Sequence, residues 1–198
     1  MQKKTVIIIL FLFACTAIQA QGNNDSTTHF EKLFFYQLLD VQHKKTTTIN
    51  TGNKPLLLCI FLSPECPLCQ NYTKPLNELQ QKFNQQISMY GIVPGTAYTI
   101  KDMAAFQNKY HTTFPILIDA EQKFTQYLQA TVTPQVILLD KEGTLIYKGA
   151  IDDWVQAQGK KKAQPTQYYL QDAIQQSLQP EVVKRKKTTA FGCKINDH

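Results

Sequence analysis

Leu56-Leu57-Leu58-Cys59-Ile60-Phe61-Leu62, followed at once by Ser63-Pro64-Glu65-Cys66-Pro67-Leu68-Cys69, decides how this chain of 198 residues folds. The first seven residues are apolar at every position, the pattern of a central strand in a sheet covered by helices on both faces. After the second cysteine, Tyr72, Leu76, Leu79 and Phe83 recur at helical spacing. Pro67 suits the first turn of that helix, where its missing N–H costs nothing. Pro75 lies further in and predicts a kink. A strand therefore hands a Cys-x-x-Cys to the start of a helix. Unpaired backbone N–H groups and the helix dipole favour the thiolate there, and the thiolate is the form that attacks a disulfide. Taken alone, Cys66 and Cys69 admit three readings: a redox pair, a static disulfide, or half of a metal site. A zinc site needs two further ligands of suitable spacing. The chain has no second Cys-x-x-Cys and no histidine pair, so the redox reading is favoured and no metal or cofactor is expected.

The N-terminus reads as an export signal over residues 1–20. Lys3 and Lys4 precede an apolar run, Val6 to Ala14, too short to span a membrane comfortably. Cleavage is expected between Ala20 and Gln21. A lipoprotein signal ending at Cys15 ranks second, because Phe13 fits its recognition box poorly. Cys15 leaves with the signal, so Cys59, Cys66, Cys69 and Cys193 remain. Loss of Lys3 and Lys4 lowers the formal charge from +6 to +4. The remaining excess sits in Lys160-Lys161-Lys162 and Lys184-Arg185-Lys186-Lys187 without interleaved aromatics, so no nucleic-acid partner is expected. No membrane span is expected in the mature chain.

Residues 21–32 read as a polar tether. Phe34 to Leu39 and Thr46 to Ile49 read as short strands, and Ile87 to Val93 as the strand after the first helix. Met103, Phe106 and Tyr110 mark a second helix. Phe114 to Ile118 is a strand and Gln122 to Gln129 a short helix. Val136 to Leu139, Asp140-Lys141-Glu142-Gly143 and Thr144 to Lys148 form a hairpin. Asp152 to Pro165 reads as a polar loop and Thr166 to Leu178 as a closing helix. The order indicates an α/β sandwich with a mixed central sheet flanked by helices, in one domain over residues 33–179. A basic tail carrying Cys193 follows over 180–198. Thr133-Pro134 stands immediately before a strand, which a plain strand start would explain.

Three pieces in this order carry a resemblance: Phe61 to Cys69, Phe114 to Asp119, and Thr133 to Gly143. Gln37 to Gln179 resembles the redoxin branch of the thioredoxin-like superfamily, which includes the alkyl-hydroperoxide-reductase/thiol-specific-antioxidant group. Gly149-Ala150-Ile151-Asp152-Asp153 and Thr189 to Ile195 resemble a narrower peroxiredoxin-like subgroup. The resemblance implies a thioredoxin-like fold, a Cys66–Cys69 redox pair and a cis Thr133-Pro134 bond beside it. It also implies that the Thr133 backbone pairs with a substrate strand, and it gives Cys193 a role as a third, resolving cysteine.

Departures from the pattern are informative. Ile60 replaces the buried acid that moves the second cysteine's proton in thioredoxins. Glu65 replaces the tryptophan before the first cysteine, and its charge would raise the Cys66 pKa if the two were close. Ser63 matches the hydroxyl residue of peroxidatic redoxins, but Cys59 stands where they carry proline. Copper-delivery relatives of this fold space their cysteines by three residues and add a distal histidine; His111 reads instead as a polar residue after a helix. Cys59 reads as an inert buried thiol, and Asp152 and Asp153 as a loop or helix cap. The leading expectation is an exported thiol–disulfide oxidoreductase acting on protein or small-molecule disulfides and thiols of the cell envelope, with a redox partner protein. A thiol peroxidase, with Cys66 peroxidatic and Cys69 or Cys193 resolving, is the alternative. A non-enzymatic metal-binding or interaction module is third.

Overall fold

The computed structural model describes residues 28–195. The expected export signal, Cys15 included, and residues 21–27 of the tether lie outside them. The chain runs β1 (Leu38–Asp40), β2 (Lys45–Thr47), β3 (Leu56–Phe61), α1 (Pro67–Lys82), β4 (Ile87–Pro94), α2 (Ile100–Tyr110), β5 (Ile116–Asp119) and α3 (Lys123–Tyr127). It continues through β6 (Val132–Thr133), β7 (Gln135–Asp140), β8 (Leu145–Gly149), β9 (Val155–Ala157), β10 (Lys160–Lys161), α4 (Tyr169–Ser177) and β11 (Cys193–Lys194). Seven strands form one mixed sheet in the order β2-β1-β5-β4-β3-β7-β8. β3, β4 and β5 run parallel, and β7 lies antiparallel to β3.

β3 explains the sheet's two-sided core. All six of its residues are buried. Leu56, Leu58 and Ile60 face the layer built by α1, α2 and α4, while Leu57, Cys59 and Phe61 face the layer of α3 and the N-terminal segment. Period-two alternation in a wholly apolar strand thus feeds both cores at once. Cys59 lies on the face away from α1, and burial pushes its thiol well above the usual range. Ile60, standing where thioredoxins keep an acid, is apolar packing under the Cys-x-x-Cys.

Several expectations shift in detail. Leu33–Phe35 is a 3-10 turn rather than the start of a strand, and β1 begins at Leu38. Residues 28–32, expected as tether, are tied to the β7–β8 hairpin: Leu145 N–H donates to the Thr28 carbonyl at 2.8 Å and Phe30 N–H to the Gly143 carbonyl at 2.9 Å. Pro75 sits inside α1, which continues unbroken to Lys82. His111 ends α2 in the left-handed region, at φ 51°.

The segment read as a loop over 152–165 contains the β9–β10 hairpin, and its two carboxylates are buried. Asp153 accepts from the Thr166 and Gln167 backbone N–H groups and from the Lys162 ammonium, and these donors hold its carboxyl far below the usual range against the cost of desolvation. Asp152 accepts from the Tyr72 hydroxyl at 2.5 Å and the Trp154 N–H at 2.9 Å. This pair joins α1 to the segment after β8. Burial raises the Asp152 pKa, and the Tyr72 hydrogen bond opposes that rise. Tyr72→Phe is expected to destabilise the fold by about 1–3 kcal/mol, the worth of one of the two hydrogen bonds that this buried carboxylate accepts. Urea unfolding checks it; an unchanged midpoint would show that Tyr72 does not satisfy Asp152.

Candidate active site

Cys66 is the N-cap residue of α1 and Pro67 its first helical residue, as the sequence leads one to expect. The preceding turn is fixed from several sides. Leu62 N–H donates to the Ile92 carbonyl at 2.9 Å, Cys66 N–H to the Ser63 carbonyl at 3.2 Å, and the Gln70 side-chain amide to the Pro64 carbonyl at 2.8 Å. Cys69 lies one helical turn further and is buried beneath Cys66. Its sulfur accepts from the Ser63 N–H at 3.4 Å. The Thr133–Pro134 peptide is cis, and the Thr133 carbonyl lies 3.2 Å from the Cys66 sulfur.

The third cysteine enters from the tail. β11 pairs antiparallel with β6, setting Cys193 opposite Thr133 and Lys194 opposite Val132. Ile195 N–H donates to the Thr131 carbonyl at 3.0 Å. The Cys193 sulfur stands 2.6 Å from that of Cys66. The backbone of Thr133, expected to receive a substrate strand, is therefore paired with this chain's own C-terminal segment. Cys66 is only 1% exposed with that segment in place, whereas Cys193 itself is exposed.

The three thiols are unlike one another. Hydrogen bonding from the Cys69 thiol, aided by the Cys193 thiol and backbone N–H groups and opposed by burial, brings the Cys66 pKa down to about 4. Burial, then the adjoining Cys66 charge, pushes Cys69 well above the ordinary thiol range. Burial and the same charge lift Cys193 to about 11. Hydrogen bonds from two thiols thus favour the ionised form of Cys66, which is the effect of donors on a charged acceptor. Glu65, whose charge would oppose ionisation of Cys66 if the two were close, has its carboxylate engaged: it accepts from the Tyr98 hydroxyl at 3.3 Å, and Tyr98 also receives the Ser63 side chain at 3.1 Å. This Ser63–Tyr98–Glu65 chain lines a cavity of about 350 Å3 that opens beside Cys66. Sequence reading missed Tyr98 and Gln122 in that cavity; neither belongs to a motif. Among the described residues, no cluster of three His, Cys, Asp or Glu side chains is placed to hold a metal.

A cysteine capping a helix start, a buried second thiol and an adjoining cis-proline turn on a mixed sheet define a thioredoxin-like protein of the thiol oxidoreductase and peroxiredoxin type. The sequence pattern of the AhpC/TSA family matches residues 30–148, and the chain belongs to that family. No curated protein matches it in sequence. Among solved structures it is similar to a hypothetical protein of Sinorhizobium meliloti 1021, at 26% identity and TM-score 0.70 over 81% of this chain and 89% of that one. An uncharacterized conserved protein of Geobacillus kaustophilus shares 19% identity at TM-score 0.73, over 82% and 88% of the two chains. A thioredoxin-like protein of Aeropyrum pernix shares 17% identity at TM-score 0.50, over 58% and 80%.

The thiolate absorbance of the reduced protein is expected to show a step near pH 4 that disappears in Cys66→Ser. Cys69→Ala should move that step up by about one to two pH units, the worth of one hydrogen bond to a charged group. The folded pKa lies below the unfolded thiol's ~8.5. The ionised Cys66 therefore contributes stability that is complete above that unfolded value and is lost as pH falls through about 4. A Cys66 titration near the ordinary thiol value would overturn this assignment.

Proposed function

We propose that this chain is an exported thiol–disulfide oxidoreductase working through Cys66 and Cys69. The observation that carries the reading is the placement of the pair: Cys66 caps the start of α1 against the cis Thr133-Pro134 turn, with Cys69 buried one helical turn on, an arrangement that favours the thiolate at Cys66 and the thiol at Cys69. The Cys66 thiolate attacks one sulfur of a substrate disulfide. That bond breaks, and the other substrate sulfur leaves with the electron pair and takes up a proton. Once Cys66 is in the mixed disulfide it no longer carries charge, so its contribution to the raised Cys69 pKa disappears and only desolvation remains. Cys69 loses its proton and attacks the Cys66 sulfur, and the reduced substrate departs. A dithiol partner protein then returns two electrons to the Cys66–Cys69 disulfide. No acid stands at Ile60 to take the Cys69 proton, so the departing substrate thiolate or water receives it. Export is supported by Lys3, Lys4 and the apolar run that follows them. The substrates are accordingly disulfides and thiols of the cell envelope.

The test removes both candidate resolving thiols. Cys69→Ser combined with Cys193→Ser is expected to accumulate mixed disulfides through Cys66 with envelope proteins, separable on non-reducing gels. Cys66→Ser should accumulate none. An empty trap in the double variant would sink the reading.

A second reading, thiol peroxidase, is favoured by the cavity beside Cys66 and by the hydroxyl of Ser63 in its wall. Cys66 would attack a peroxide oxygen, becoming a sulfenic acid and releasing water or an alcohol. Condensation with the Cys69 or Cys193 thiol would then form a disulfide and release a second water. Cys66-dependent consumption of millimolar peroxide at a rate well above that of free thiol would favour it; no such consumption removes it.

A further inference from the structure

We propose that residues 192–195 are a tethered substrate strand that occupies the groove on Thr133, and that Cys193 exchanges with the Cys66–Cys69 disulfide to lock itself there. The inference rests on Cys66 being the attacking thiol.

The position is the first argument. An extended peptide recognised by β-augmentation pairs its backbone with a sheet edge and presents one side chain to the site. Cys193 and Lys194 pair in this way with Thr133 and Val132, and the side chain presented is a thiol 2.6 Å from the nucleophile. Built contacts are the second. A Cβ on Gly192 would lie 2.1 Å from the Thr133 carbonyl oxygen, so only glycine lets the strand approach there. Upstream, a Cβ on Gly149 would lie 2.2 Å from the Thr188 hydroxyl. That hydroxyl meets the Tyr147 hydroxyl at 2.5 Å and accepts from the Ala150 N–H at 2.9 Å. Lys148 N–H donates to the Lys186 carbonyl at 3.0 Å and Thr188 N–H to the Lys148 carbonyl at 3.1 Å. The tail is thus anchored at Lys186–Thr188 and again at 193–195. The second anchor sets Cys193 against Cys66.

Access is the third argument. With Cys66 1% exposed, an outside disulfide reaches it only after the strand lifts. A substrate therefore competes with a tethered strand whose effective concentration is on the order of millimolar.

The exchange step is isomeric. Turnover leaves the Cys66–Cys69 disulfide. The Cys193 thiolate attacks the Cys66 sulfur, the Cys66–Cys193 bond forms as the Cys66–Cys69 bond breaks, and the electron pair leaves on Cys69. Cys69 takes up a proton equivalent to the one Cys193 gave up, and no net oxidation occurs. Oxidation of Cys66 also removes the charge that helps hold Cys193 protonated. The disulfide has then passed from a buried thiol to an exposed one, where a reducing partner can attack it and release the strand.

Cys69→Ser treated with one equivalent of the diazene oxidant diamide, which removes two electrons and two protons from Cys66 and Cys193, is the starting point. Tryptic mass mapping should find the Cys66 peptide linked to Thr188–Lys194; absence of that link overturns the proposal. Adding Gly192→Ala should slow the linkage at least about tenfold, since an ångström of misplacement costs up to ~100-fold. An equal rate would show that the docked strand does not deliver Cys193. In the same reduced variants, alkylation of Cys66 by iodoacetamide should be severalfold faster with Gly192→Ala, and an unchanged rate would overturn the gate. These readouts need no outside substrate. Their success alongside an empty mixed-disulfide trap would sink the oxidoreductase reading alone.

Discussion

The hydrogen-bonded Cys66 sulfur organises the site. It sits at the first turn of α1, receives hydrogen bonds from the thiols of Cys69 and Cys193, and is shielded from solvent by the segment that brings the second of them. Each donor is held protonated in part by the charge it stabilises. The arrangement is therefore self-consistent in the reduced state. Neutralising Cys66, by a covalent bond of any kind, lowers the barrier to ionising both neighbours. Covalent capture at one sulfur prepares the next sulfur to react, with no separate base at Ile60.

The sheet supplies the rigidity this requires. β3 is buried on both faces and paired along its length with β4 and β7. The C-terminal end of β3 and the N-terminal end of β7 are adjacent, with Phe61 opposite Gln135. Two segments distant in sequence, Ser63 to Cys69 and Thr131 to Pro134, are thereby set side by side. The cysteine turn is held by β3 and by the α1 packing of Tyr72, Leu76 and Leu79. The Thr133 turn is held by β7. A site on the ends of paired strands keeps its geometry better than one carried by free loops.

Local signals in the sequence were strong enough to reveal most of this. The apolar run, the Cys-x-x-Cys and the helical spacing after it are all short-range patterns, and they fix β3, Cys66, Cys69 and α1. Thr133-Pro134 became legible through its order relative to those pieces. The tail was less so. Cys193 reaches Cys66 across 127 positions, through a two-residue strand pairing that has neither the length nor the alternation to register as a strand. Gly192 and Gly149 were the available hints, because a glycine facing another backbone marks close approach. Asp152 and Asp153 read in the sequence as a cap, and their burial is not legible there because their donors Tyr72, Lys162 and Thr166 arrive from other parts of the chain. Glu65 was legible by its place beside Cys66, but its partner Tyr98 comes from 33 positions away and belongs to no motif.

The number of sulfurs at the site has a consequence of its own. Among the described residues Cys59 is sealed on the opposite face of β3, so Cys66, Cys69 and Cys193 form a set of three. Disulfides consume thiols in twos, and parity forbids this set from oxidising to completion within one chain. Whichever bond forms, one thiol is left over: an exposed one if Cys66 joins Cys69, a buried one if Cys66 joins Cys193. The remainder is a label that distinguishes two states of identical mass and identical electron count.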